Sequence, residues 1–143
     1  MIALTLIPML AALGLQAADA VPAEDVALAH EPEIAKRRAM TFPPEAARYN
    51  VVARCNVTMD IGLRGRPLNM CAACNTATPH DFVNAEDYEE VYVRFVLRDI
   101  RLWRFEPTET GFHNHTQNFD YNLAHLSPDL LASIETPAAP VCE

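Results

Sequence analysis

The chain has 143 residues, 50% hydrophobic and 21% charged, with 19 acidic against 11 basic side chains and a formal net charge of −8. These totals bound it to one modest domain with appendages, and eleven prolines beside four glycines, without a long charged tract, exclude collagen-like and wholly disordered chains. The negative balance repels a phosphate backbone and Lys36-Arg37-Arg38 is the only basic cluster, so no nucleic-acid partner is expected.

Met1 to Gln16 is an uncharged apolar run, and Ala18-Asp19-Ala20 supplies the small-x-small pattern of a signal-peptidase site. This predicts a secretory signal over residues 1–20. The run is barely long enough to cross a ~30 Å hydrocarbon core, and Pro8 and Gly14 interrupt it, so inner-membrane anchoring through an uncleaved segment is the second reading. In an exported chain the even set Cys55, Cys71, Cys74 and Cys142 favours disulfides over free thiols, with three pairings open.

Residues 21–41 are rich in Ala, Pro and acids and read as a leader or linker. Phe42 to Tyr49 places proline and an acid at the start of one or two helical turns. From Val51 to Ile61 the period becomes two: Val51, Ala53, Cys55, Val57, Met59 and Ile61 share one face, and Arg54, Asn56, Thr58 and Asp60 the other. That is a half-buried strand. Gly62-Leu63-Arg64-Gly65 signals a turn and Arg66 to Ala73 a returning strand, giving a β-hairpin with its tip near residue 63 that sets Cys55 almost opposite Cys71.

After a polar, irregular stretch from Asn75 to His80, Asn84 followed by Asp87 looks like a capped helix start. The helix is expected from about Ala85 to about Leu102, with Tyr88, Tyr92, Val96, Ile100 and Trp103 as its apolar stripe and Glu90, Arg94, Arg98 and Arg101 opposite. Pro107 closes the segment. Gln117 to Leu123 alternates again, with Phe119, Tyr121 and Leu123 on one face, and reads as a third strand. A short helix is expected at Pro128 to Ile134, followed by a Pro/Ala-rich end carrying Cys142.

The order helix, hairpin, helix, strand, together with Phe42-Pro43 and Ala46-Ala47, the alternating first strand ending in a Gly-containing turn and Arg66, and Trp103-Arg104-Phe105-Glu106-Pro107 closing the amphipathic helix, resembles the C-terminal domain of the TonB family of energy-transducing proteins. A cysteine in each hairpin strand is similar to a subset of that family. The resemblance covers Phe42 to Leu123 and implies an α+β fold: a small two-layer domain in which a three-stranded antiparallel sheet packs on one main amphipathic helix. The domain organisation expected is therefore signal 1–20, leader 21–41, TonB-like domain 42–123 and C-terminal tail 124–143.

The resemblance further implies that the last strand lies exposed at a sheet edge, where unpaired N–H and C=O groups accept an extended peptide. The candidate partner-binding residues are Gln117, Asn118, Phe119, Asp120, Tyr121, Asn122 and Leu123, with core packing under the helix as the alternative role of the Phe119 and Tyr121 side chains. Exchange of that strand between copies would give a homodimer. For the cysteines, Cys55–Cys71 across the hairpin and Cys74–Cys142 to the tail are expected, each stabilising by roughly 3 to 4.5 kcal/mol.

The competing chemistry uses Cys71-Ala-Ala-Cys74, either as a redox motif or, with His113 and His115, as a zinc site. Thr78-Pro79 follows the cysteines where a redox motif would begin its helix, and His113-Asn-His115 is closer than the usual His-x(3–5)-His spacing, so the histidines read as solvated loop residues. No nucleophile elbow or phosphate-cradling loop occurs, and Gly62-x-x-Gly65 is a turn. The expectation is a non-catalytic periplasmic domain without metal or cofactor, and the resemblance implies that it binds a protein or peptide of the cell envelope in transport.

Overall fold

The computed structural model describes residues His30 to Glu143; the expected signal over 1–20 and the leader as far as residue 29 lie outside the described residues. In chain order the elements are β1 (Ile34–Lys36), α1 (Pro44–Arg48), β2 (Val52–Ile61), β3 (Pro67–Ala77), a 3₁₀ turn (Ala85–Tyr88) running into α2 (Glu89–Ile100), β4 (Arg104–Phe105), β5 (Phe112–Tyr121) and α3 (Pro128–Ala132). The fold is α+β: a three-stranded antiparallel sheet in the order β3-β2-β5, with α2 as its main helix.

The period-two pattern of β2 builds the core. Val51, Ala53, Cys55, Val57, Met59 and Ile61 are fully buried and pack with Tyr92, Val96 and Ile100 of α2, Trp103 and Phe105 beyond it, and Phe119 and Tyr121 of β5. Tyr92 spans the layers, its hydroxyl donating to the Val51 carbonyl. Trp103 is a core anchor, edge-on to Phe119 at 5.3 Å between ring centroids and capped by the Arg37 guanidinium at 4.9 Å. The expected polar stripe of α2 is exposed at Glu90, Arg94, Arg98 and Arg101.

Several boundaries differ from the sequence reading. Asn84 precedes a 3₁₀ turn rather than the α-helix, and its amide donates to the Asp87 carboxylate instead of capping a backbone N–H. Asp99 lies on the buried side of α2, where it accepts from the Thr41 backbone N–H and, at 3.4 Å, from the Thr41 hydroxyl. The Asn75–His80 stretch is not wholly irregular, since β3 continues to Ala77. The end of the leader belongs to the fold: β1 pairs antiparallel with β4, Ile34 opposite Phe105, as a separate two-stranded ribbon.

The turn is centred on Arg64 rather than at residue 63, with Ile61 opposite Pro67, and a bulge between Thr58 and Asp60 shifts the register by one residue more, so that β3 pairs Cys74, not Cys71, with Cys55. The disulfides are accordingly Cys55–Cys74 and Cys71–Cys142, not the expected Cys55–Cys71 and Cys74–Cys142. Strand geometry gives the reason. Cys71 and Cys74 are three positions apart, an odd offset, and so face opposite sides of the sheet. Cys74 shares the core side with Cys55, whereas Cys71 lies opposite Thr58 on the other face, where the tail brings Cys142.

Candidate functional site

β5 is an edge strand. It pairs with β2 alone among the described strands, in register from Ala53↔Tyr121 to Met59↔His115. The Cys55 and Cys74 Cα atoms stand 4.1 Å apart, the close spacing of a non-hydrogen-bonded antiparallel pair, so the Cys55 N–H and C=O point away from β3 and toward Phe119. Alternation along β5 then directs the backbone groups of Thr116, Asn118 and Asp120 away from β2, to the open edge. These are also residues whose side chains are exposed, so the edge offers both its hydrogen-bonding groups and a polar surface.

Of the seven candidate residues, Gln117 to Tyr121 lie in β5, while Asn122 and Leu123 follow it. Asn122 folds back locally, its side-chain oxygen accepting from the Leu123 N–H at 2.9 Å. Phe119 and Tyr121 face the core, Tyr121 lying 4.9 Å from Tyr92 and 5.8 Å from Phe42 between ring centroids. Their side chains therefore build the layer beneath the edge. Asp120 forms a cross-strand ion pair with Arg54 at 3.7 Å, half-exposed and of modest energetic weight.

The strand begins five residues earlier than the sequence reading, at Phe112, and this corrects the role of the histidines. His115 is 7% exposed, beneath Phe105 at 5.2 Å, with Nδ1 meeting the Glu31 carboxylate and Nε2 lying 3.3 Å from Gln117 Oε1. His113 Nδ1 stands 3.2 Å from Asp60. The odd-numbered series His115, Gln117, Phe119 and Tyr121 was visible in the sequence; reading the polar imidazole as solvent-facing cut the strand short.

Asp60, in the central strand, links the two outer strands at one end of the sheet. Its carboxylate accepts from Asn69 Nδ2 at 3.0 Å and the Asn114 N–H at 3.1 Å, both asparagines having left-handed φ, at the point where β2 shifts register against β3 and β5. Burial pushes its pKa up, but the hydrogen bonds from Asn69, Asn114 and His113 outweigh burial and hold it below the ordinary aspartate value.

The four groups considered for zinc are not drawn together: Cys71 and Cys74 are in different disulfides, and His113 and His115 engage carboxylates. Among the described residues no group of three or more His, Cys, Asp or Glu is placed to hold a metal ion, and no helix is long and apolar enough to cross a membrane. Two disulfides fit an oxidising extracellular or periplasmic environment. No protein-family model matches the chain, and no curated protein matches it.

Proposed function

We propose that the chain is a non-catalytic periplasmic domain, similar to the C-terminal domain of the TonB family, that takes up an extended segment of a cell-envelope protein as a fourth strand along β5. The observation that carries this reading is the open edge of β5, with outward backbone groups at Thr116, Asn118 and Asp120. Recognition is by main chain, so the partner is defined by an extended conformation and by side chains that tolerate the polar face of Asn118 and Asp120. The packing of Phe119 and Tyr121 on Trp103 and Tyr92 keeps that edge rigid, which limits the ordering cost of binding.

The discriminating substitution is Asn118→Pro. It removes an outward N–H while leaving the ladder to β2 intact, as edge strands allow. A photo-crosslinker placed at Thr116 in the otherwise natural chain is expected to attach to an envelope protein recovered from periplasm and membranes, and Asn118→Pro to abolish that adduct with the circular dichroism spectrum unchanged. An adduct that forms equally in the proline variant would overturn the reading.

A further inference from the structure

The face of the sheet opposite α2 is covered by chain without regular structure. Beyond α3, Ile134 is 6% exposed, Asn75 Nδ2 donates to the Glu135 carbonyl at 2.8 Å, Asn56 Nδ2 donates to the Pro137 carbonyl at 3.2 Å, and Cys142 is bonded to Cys71. Two asparagine amides on neighbouring strands therefore hold the main chain of an extended segment, independently of its side chains. Thr136-Pro137-Ala138-Ala139-Pro140 is small and proline-containing, suited to an extended conformation without internal hydrogen bonds.

This face has more hydrogen-bonding capacity than the tail uses. Asn56 and Thr58 are 8% and 5% exposed, yet Asn56 Oδ1 and Thr58 Oγ1 have no hydrogen-bond partner among the described residues. Pro137, whose carbonyl takes the Asn56 amide, has no N–H to give in return. The latch is also the more accessible of the two disulfides: Cys71 and Cys142 are half-buried, whereas Cys55 and Cys74 are 0% and 5% exposed.

We infer that the β2–β3 outer face is a docking groove for an extended, proline-containing peptide, filled in cis by residues 134–142 of this chain and latched by Cys71–Cys142. The groove is separate from the β5 edge and does not depend on it. A dithiol opens the latch by exchange: its thiolate attacks one cystine sulfur, its second thiol resolves the mixed disulfide, and two electrons pass from the dithiol to leave Cys71 and Cys142 as thiols and the reductant as a disulfide.

The test uses the whole chain carrying Cys71→Ser and Cys142→Ser to remove the latch, and Ile134→Asp to unseat the tail. The probe is an isotope-labelled synthetic peptide with the natural sequence of residues 132–141. Its resonances are expected to shift saturably with the opened chain, and binding is expected to be at least roughly tenfold weaker to the oxidised natural chain and to the opened chain with Asn56→Ala and Asn75→Ala added. Retention of Cys55–Cys74 and of the circular dichroism spectrum verifies the fold. If the opened chain does not fold, the natural chain reduced and alkylated at Cys71 and Cys142 takes its place, with the peptide in excess over the cis tail. Absence of saturable binding in the folded opened chain, equal binding to the oxidised chain, indifference to the asparagine substitutions, or self-association in place of peptide binding would each overturn the inference.

Discussion

At the scale of single residues, two positions are constrained by what stands next to them in space. Gly65 has φ +80°, and a Cβ there would collide with the Phe105 carbonyl, while the Phe105 N–H donates to the Gly65 carbonyl at 2.8 Å. The hairpin tip is thus pressed against β4. Gly65→Ala combines a left-handed strain with a backbone clash and is expected to cost more than about 3 kcal/mol in urea unfolding. A midpoint close to that of the natural chain would show that the tip can move away from Phe105. Tyr92 and Tyr121 supply a second test. Burial pushes both hydroxyls far above the ordinary tyrosine range, with the neighbouring Tyr121 adding to it at Tyr92 and the Asp99 carboxylate adding to it at Tyr121 against an opposing Arg98. The unfolded chain loses these protons near pH 10 and the folded chain keeps them, so the stability they contribute is complete below pH 10 and falls as pH rises beyond it. The expected slope is about 1.4 kcal/mol per pH unit for each tyrosine. Tyr92→Phe should lower stability at neutral pH by about 1 to 2 kcal/mol, because the Val51 carbonyl loses its donor, and should remove one tyrosine's share of the alkaline slope. Unfolding curves at pH 9, 10 and 11 measure both effects, and identical slopes would contradict the burial argument.

At the scale of elements, the central strand β2 is buried on both faces, with α2 on one side and the tail on the other. The two disulfides hold different layers: Cys55–Cys74 joins the hairpin strands inside the core, and Cys71–Cys142 holds the tail to the outer face. Closing the longer loop, with a sequence separation of 71 against 19, constrains the unfolded chain more, by roughly 4.5 against 3 kcal/mol. The half-buried Cys71–Cys142 bridge is nevertheless expected to open before the buried Cys55–Cys74, because a reductant must reach sulfur. Under graded reductant, with alkylation followed by mass spectrometry, Cys71 and Cys142 should be modified together before Cys55 and Cys74. Without reductant there should be no modification, and after denaturing reduction four. Simultaneous opening of both bridges would mean that releasing the tail unfolds the hairpin.

At the scale of the whole molecule, a small domain gains most of its order from contacts between distant parts of the chain. The β1–β4 ribbon, the Glu31–His115 contact and the Asp99–Thr41 bonds bring the segment before α1 to the far end of the fold. The tail does the same from the other terminus. Packed chain therefore continues on both sides of residues 42–123. Removing residues 133–143 should expose Asn56 and Thr58, leave Cys71 without its partner and lower the urea midpoint, with a loss of about 3 kcal/mol or more expected from the disulfide alone. An unchanged midpoint would mean that the tail covers the sheet without stabilising it.

Local chemistry determined the features that repeat within a few residues. The period of two identified β2 and the core-facing end of β5, the helical stripe identified α2 through Tyr92, Val96 and Ile100, and Gly62 with Gly65 marked the turn. Those signals survive because side-chain direction in a strand or helix follows from backbone geometry alone. The open edge was legible only through the order of elements and the family resemblance, since the outward direction of Asn118 depends on the register with β2. Tertiary structure decided the cysteine pairing, the burial of His115 and Asp99, the joining of β1 to β4 and the role of the tail. Each depends on which distant segment covers a given face, and a two-residue alternation says that a face is apolar or polar without saying what lies against it. Asn56 and Thr58 show this most directly: polar residues on the expected solvent side of β2, they are buried because a proline-containing segment more than seventy residues later folds back and is fastened there by Cys142.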